Sequence, residues 1–117
     1  MRHHEKFKTL GRDKGQRASL VKSLVRSLVI HDGITTTETR AKELRKYVEP
    51  LVTTAKTGTV ASRRLLASRI GDEKAAKKLV EVIAPAYKAR QGGYTRVIKL
   101  PLRKSDGAKM AHIQFVK

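Results

Sequence analysis

The chain has 117 residues, of which 27 are Lys or Arg and 10 are Asp or Glu, so its formal net charge is +17. Its length and its 39% hydrophobic content predict one folded domain over residues 1–117 rather than a disordered basic tail. The absence of cysteine excludes disulfides and thiolate metal sites, and no apolar run approaches the roughly 18 residues of a membrane span.

The N-terminal residues form an irregular basic segment. Residues 1–15 have neither helical nor strand periodicity and are predicted to be an extended basic arm without the apolar stretch of a secretory signal. Asp13 and Gln16 predict a capping-box-like start of a first helix. The apolar face of this helix repeats at helical spacing through Leu20, Val21, Leu24, Val25 and Leu28.

A short strand and a second helix are predicted next. Asp32-Gly33 should end the first helix, with Gly33 as its left-handed cap. The β-branched residues 34–37 predict a strand, and Thr37 is a suitable N-cap for the second helix. Pro50 should kink this helix without ending it, because the apolar register continues past the proline: Ala41, Leu44, Val48, Leu51, Val52 and Ala55.

The remainder of the chain predicts two more helices and two more strands. Thr59 or its neighbour opens a third helix through Ile70, and Asp72 caps a fourth that Pro85 stops. Residues 94–100 and the alternating residues 111–116 predict strands joined by an Asp106-Gly107 turn. The predicted fold class is α/β (α+β), a two-layer domain of about four helices on a small mixed sheet of about three strands, with the basic arm attached.

The positive charge predicts a polyanionic partner. Residues 1–31 carry a net +6, residues 32–83 a net +4 and residues 84–117 a net +7, so the two ends are the predicted RNA-facing parts. Membrane binding would require a basic amphipathic helix with bulky aromatics, and the chain has no Trp. Nucleic acid is therefore favoured over a membrane surface or an acidic protein.

Candidate RNA contacts fall into four groups. The arm and the start of the first helix supply the first, which could instead serve only solubility: Arg2, His3, Lys8, Arg12, Lys14 and Arg17. Arg63 and Arg64 lie on the third helix, where a solvated face is the alternative. A glycine turn supplies Arg90, Gly92, Gly93, Tyr94 and Arg96, with Tyr94 either stacking on RNA or packing in the core. Arg103 lies at the basic tip of the last hairpin, where a solvated loop is the alternative.

No residue pattern points to catalysis, a cofactor or a metal. His3 and His4 are adjacent, whereas His31 and His112 are distant in sequence, and the spacing of a zinc motif is absent. Glu43 and Glu49 lie among lysines and arginines and are predicted to be surface ion-pair partners rather than an acid/base pair. No small-molecule substrate is expected.

Several segments in collinear order resemble one family. They are Met1-Arg2-His3, Leu10-Gly11-Arg12, Gln16-Arg17, Ile34-Thr35-Thr36-Thr37 with the following Ala41-Lys42-Glu43-Leu44-Arg45, Ala61-Ser62-Arg63-Arg64, and Arg90-Gln91-Gly92-Gly93-Tyr94-Thr95-Arg96. Together they look like bacterial large-subunit ribosomal protein seventeen over nearly the whole chain.

This resemblance implies a cytoplasmic structural constituent of the large ribosomal subunit. It also implies binding to large-subunit ribosomal RNA near the peptide exit side and contact with neighbouring ribosomal proteins, notably protein thirty-two. Two alternatives stay open on the residues alone: a DNA-architectural protein of the nucleoid, which should prefer duplex DNA, and an RNA-modifying enzyme, which should carry a cofactor loop or metal cluster.

Overall fold

The first helix, α1, spans Lys14–His31, and the computed structural model describes residues 14–116. The predicted arm over residues 1–15 included Lys14 and Gly15. Both residues are helical, so the prediction is wrong at these two positions. Residues 1–13 lie outside the described part of the chain. The predicted apolar face is confirmed, because Val21, Val25 and Leu28 are buried in the core.

The end of α1 differs from the predicted glycine cap. Asp32, not Gly33, has the positive φ, 64°, which a short polar side chain tolerates. Gly33 instead starts strand β1, Gly33–Thr37, where a Cβ atom would lie 2.8 Å from Nε2 of His112. The glycine is thus explained by the close approach of another strand, a contact that the local sequence does not reveal.

Helix α2, Glu38–Ala55, begins where predicted. The Thr37 hydroxyl accepts a hydrogen bond from the Arg40 N–H at 3.4 Å, which satisfies one of the free donors of the first turn. The helix continues through Pro50. Its predicted apolar face is confirmed, since all six of its members are buried: Ala41, Leu44, Val48, Leu51, Val52 and Ala55.

Helix α3, Val60–Ile70, is capped at both ends. The Thr59 hydroxyl accepts from the Ser62 N–H at 3.1 Å, and Gly71 ends the helix at φ 77°. These two caps are typical helix start and stop signals, and they account for the accuracy of the predicted bounds.

The fourth helical body changes geometry along its length. After the Asp72 cap, α4 spans Glu73–Lys78, a π-helical turn spans Leu79–Ile83, and the short helix α5 spans Ala84–Ala86. Pro85 was predicted to stop the helix. It instead lies within the last helical turn, so this prediction is wrong. In the π-helical turn the Ala84 N–H donates to the Leu79 carbonyl, five residues back, so the helix widens just before the proline ring enters.

The sheet is formed by β1, β2 (Thr95–Leu100) and β3 (Met110–Phe115) in the order β1-β3-β2. Both strand pairs are antiparallel, so the prediction of a mixed sheet is wrong. No helical crossover joins β2 to β3; they are linked by the 101–109 loop, and a hairpin makes its two strands antiparallel. The α+β class of the fold is confirmed.

The helices cover one face of this sheet and leave the other open. Ala111, Ile113 and Phe115 point from β3 into the core, as their alternation predicted. On the open face, Arg96 and Ile98 of β2 lie beside Gln114 and His112 of β3. Two layers with one solvated face are what an antiparallel sheet allows.

Candidate nucleic-acid interface

The predicted N-terminal contacts lie partly before the first helix and partly within it. Arg2, His3, Lys8 and Arg12 lie outside the described residues. Lys14 is the first described residue of α1. Arg17, one turn further, lines a groove between α1, α2 and α3.

This groove collects cations that are distant in sequence. Arg17 and Lys22 come from α1, Lys46 from α2 and Arg69 from α3. Lys46 and Arg69 belong to residues 32–83, the segment with the lowest net charge, which was not one of the two predicted RNA-facing ends. The groove was not predicted, because it arises from the packing of three helices and has no local sequence signal.

Arg63 and Arg64 lie away from this groove, in a cleft between α3 and α4 that Lys77 also lines. Arg63 is 3.3 Å from a carboxylate oxygen of Glu81. Arg64 is exposed and has no salt bridge to any carboxylate within residues 14–116. The two neighbours therefore differ: Arg64 presents a guanidinium without a carboxylate partner, and Arg63 already has one.

Tyr94 does not lie on the surface. Its side chain is 1% exposed and its ring centroid is 5.3 Å from that of Tyr87, with the rings tilted by 54°. A buried ring cannot stack on a base, so of the two predicted roles of the Tyr94 ring the structure supports packing in the core. Hydrogen bonds with Thr53, the Gly92 backbone and Lys56 lower the pKa of Tyr94.

Glu49 connects the glycine turn to α2. Its carboxylate accepts hydrogen bonds from the Tyr94 N–H at 3.1 Å and from the N–H and hydroxyl of Thr95 at 3.3 and 3.0 Å. Glu43 is only 3% exposed. Neither carboxylate is the simple surface ion-pair partner that the sequence predicted, although both do have basic neighbours, Lys46 and Arg45.

The remaining residues of the glycine turn have a defined arrangement. Gly92 and Gly93 adopt φ values of 77° and 65°, a conformation that favours glycine. The Arg90 guanidinium donates to the Gly93 carbonyl at 3.3 Å, and Lys56 donates to the Arg90 carbonyl. Arg90 is nevertheless exposed, so it can reach a phosphate.

Arg96 lies apart from Arg90, on the open face of the sheet. It lines a shallow cavity together with His31, His112 and Gln114. The His112 Nδ1 is 3.0 Å from the Thr35 hydroxyl, which orients the imidazole across the strands. The two histidines were not predicted as contacts, since they become neighbours of Arg96 only through strand pairing.

Arg103 is engaged within its own hairpin. Its guanidinium donates to both carboxylate oxygens of Asp106, at 2.9 and 2.7 Å, and the Asp106 carboxylate also accepts from the Ala108 N–H at 3.1 Å. The predicted Asp106-Gly107 turn is confirmed, with Gly107 at φ 68°. Arg103 therefore shapes the loop, whereas the exposed Lys104 at its tip makes no salt bridge within residues 14–116.

This hairpin predicts a measurable titration. Hydrogen bonds from Arg103 and then from the Ala108 N–H lower the pKa of Asp106 from 3.8 to about 2. Because the pKa is depressed in the folded state, these bonds stabilise the loop above the ordinary carboxyl range and are lost as the pH falls towards 2. Arg103→Ala should raise the pKa of Asp106 towards 3.8, as measured by an NMR titration of its carboxyl carbon.

Lys104→Ala is the matched control for that titration. It removes a neighbouring positive charge that makes no hydrogen bond to Asp106, so the pKa of Asp106 should stay low. A wild-type Asp106 that titrates near 3.8 would contradict the observed pairing.

Residues 14–116 provide neither a metal site nor a membrane span. This part of the chain contains no group of three or more His, Asp or Glu side chains placed to hold a metal ion. None of its helices has both the length and the apolar character needed to cross a bilayer.

Comparison with known proteins identifies the family of the chain that carries this basic surface. The family model described as ribosomal protein L17 matches residues 20–116. The chain belongs to the ribosomal protein L17 family. The family predicted from the sequence is thus confirmed, and the chain is a ribosomal protein rather than an enzyme.

Three relatives named large ribosomal subunit protein bL17 match almost the whole chain. The protein of Sphingopyxis alaskensis is 49% identical over 99% of this chain and 84% of its own length. That of Gemmatimonas aurantiaca is 45% identical over 99% of this chain and 98% of its own length. That of a Sulfurihydrogenibium species is 48% identical over all of this chain and 98% of its own length.

Proposed function

We propose that the chain is a structural constituent of the large ribosomal subunit and binds large-subunit ribosomal RNA in the cytoplasm. The observation that carries this proposal is the surplus of surface cations, a formal +17 over the sequence, in a chain whose relatives are named as large-subunit proteins. A position near the peptide exit side and contact with large-subunit protein thirty-two belong to the same proposal, on the basis of the family resemblance.

The ion pairs support an electrostatic mode of binding. Six carboxylates of residues 14–116 account for all the salt bridges found there: Asp32, Glu38, Glu43, Glu49, Glu81 and Asp106. Most of the cations therefore lack a carboxylate partner within the described part of the chain. Phosphates can neutralise these cations, and the released counterions favour association.

The cations that suit phosphates best are those that solvent reaches and that no carboxylate of residues 14–116 pairs with. Arg17, which is half-buried, and the exposed Arg64, Arg90 and Arg96 meet this condition. Arg63 and Arg103 already pair with carboxylates.

The two paired arginines remain available to RNA. Both pairs are solvent-exposed, and such pairs stabilise by only about 0–1 kcal/mol. RNA can therefore recruit Arg63 and Arg103 at small cost, but they should contribute less than their unpaired neighbours.

The remaining candidate contacts complete the proposed surface. Arg2, His3, Lys8, Arg12 and Lys14 would extend it along the RNA from the N-terminal side. Gly92 and Gly93 would let the turn approach the RNA backbone, because even an added Cβ atom on either glycine would meet no other described atom within 4 Å.

Binding to large-subunit RNA fragments should weaken steeply with salt. On duplex regions the logarithm of the affinity should fall with the logarithm of salt concentration by about 0.9 per neutralised phosphate. Arg64→Ala should reduce this slope by about 1, because it removes one unpaired phosphate-binding group. Fluorescence anisotropy over a salt series measures both quantities.

Arg63→Ala is the control on the neighbouring position. It makes the same change in net charge but removes a cation already paired with Glu81, so the slope should change less. A wild-type affinity that does not depend on salt would remove the electrostatic mechanism. Tighter binding to duplex DNA than to ribosomal RNA would favour a DNA-architectural protein instead.

A further inference from the structure

The groove between α1, α2 and α3 differs in kind from a simple cationic surface. It has a volume of about 670 Å³, within the roughly 300–1,000 Å³ range of small-molecule sites. Its floor is apolar, formed by the buried Val21 and Val25 of α1 and Leu51 of α2, and the exposed Pro50 and half-buried Tyr47 lie beside them. A floor of this kind suits a flat, weakly polar group.

The rim of the groove is cationic on every helix. Arg17, Lys22, Lys46 and Arg69 line it, and no Asp or Glu does so among the described residues. Lys46 is held at 3.1 Å by the buried Glu43, whereas the other three cations make no salt bridge within residues 14–116. The groove therefore combines an apolar floor with a strongly positive edge.

Phosphate binding alone does not require an apolar floor, and a regular duplex cannot place a base into a groove. Sequence-specific RNA contacts instead use single-stranded segments, whose unstacked bases lie against aromatic and apolar side chains. We propose, on the basis of the proposed ribosomal RNA binding, that this groove takes one unpaired nucleotide of the RNA. The base lies on the floor beside Tyr47, and its flanking phosphates lie at the cationic rim.

Methyl-detected NMR of the full chain tests this assignment. A short single-stranded oligouridylate, whose bases are weakly stacked on each other and so available, should shift the methyl signals of Val21, Val25 and Leu51. It should also give contacts between base protons and these methyl groups. A short RNA duplex should shift surface signals but not those of the groove floor.

Two pairs of variants separate the groove from general electrostatics. The first pair lies on α1, where Ala18 lines the groove and its neighbour Ser19 does not, although both are exposed. Ala18→Trp should fill the groove without changing the charge and weaken oligouridylate binding about tenfold, since one base contact is lost. Ser19→Trp adds the same indole ring outside the groove, also without a change in charge, and should have little effect.

The second pair lies on α3. Arg69→Ala and Arg64→Ala remove the same charge from exposed positions that make no salt bridge within residues 14–116, but only Arg69 lines the groove. Both should weaken duplex binding by a similar factor, and Arg69→Ala should weaken oligouridylate binding several-fold more. Equal effects within both pairs would overturn the proposal.

Other outcomes also decide the question. Floor methyl signals that do not respond to oligouridylate, respond equally to the duplex, or respond more strongly to an acidic peptide would each overturn it. Ribosomal RNA binding that stays tight and salt-dependent in Ala18→Trp, with no groove response in the wild type, would reject the groove alone. Loss of all salt-dependent binding to ribosomal RNA by the wild type would reject the proposed function.

Discussion

Tyr94→Ala should lower the free energy of unfolding by about 3–5 kcal/mol, the range for truncating a large buried aromatic side chain. Tyr94 is 1% exposed and packs against Tyr87 with ring centroids 5.3 Å apart. The Nζ of Lys56 lies 5.3 Å from the Tyr94 ring centroid, so the ring also holds a cation in place. Urea denaturation followed by circular dichroism measures the change.

Tyr94→Phe is the control that separates the ring from its hydroxyl. It keeps the packing but removes the hydrogen bonds that the hydroxyl makes with Thr53 at 3.3 Å, with Lys56 at 3.2 Å and with the Arg90 carbonyl at 3.3 Å. The expected loss is about 0.5–1.5 kcal/mol. A Tyr94→Ala protein as stable as the wild type would show that the ring is not part of the core and would restore its predicted role at the RNA surface.

Glu49→Ala should lower the free energy of unfolding by about 2–4 kcal/mol, because it leaves partly buried donors without an acceptor. The carboxylate accepts from two backbone N–H groups and one hydroxyl at the start of β2. Tyr94 and Thr95, which supply these donors, are 1% and 3% exposed. Besides the stability loss, amide hydrogen exchange at both residues should accelerate.

Glu81→Ala is the matched control, since it also removes one negative charge from a chain with excess positive charge. Its salt bridge to Arg63 is exposed on both sides, so the expected loss is below about 1 kcal/mol. If the two variants were equally destabilised, the effect would come from net charge and not from the hydrogen bonds of Glu49.

Features decided by neighbouring residues could be predicted from the sequence. Thr37, Thr59 and Asp72 cap helices as expected, because an N-cap depends only on a side-chain oxygen and the backbone two or three residues ahead. The apolar faces of the helices and the alternation in β3 also followed from local periodicity.

Features decided by contacts across the fold could not be predicted. The reason for Gly33 is the side chain of His112, which β3 brings next to it. A Gly-Gly-Tyr segment is equally compatible with a surface ring and a buried one. That the Tyr94 ring is buried is seen only from its packing against Tyr87, which is a contact made by the fold.

The candidate site could be predicted only in part, for the same reason. Arg17, Lys46 and Arg69 have no mutual spacing that a sequence pattern could detect, yet three helices bring them to one groove. The net charge of each end of the chain could be counted from the sequence, but the groove that brings distant cations together could not be predicted from it.

The order of the strands has a consequence for synthesis. Within residues 14–116, β3 is the last strand to be made, yet it lies between the other two and supplies all of the strand pairing found there. While a ribosome is translating this chain, β1 has no partner, and neither does β2. The helices can pack together early, but the backbone hydrogen-bonding groups of β1 and β2 stay unpaired until residue 115 has left the ribosome. Chaperone protection or early contact with RNA would matter most during that interval.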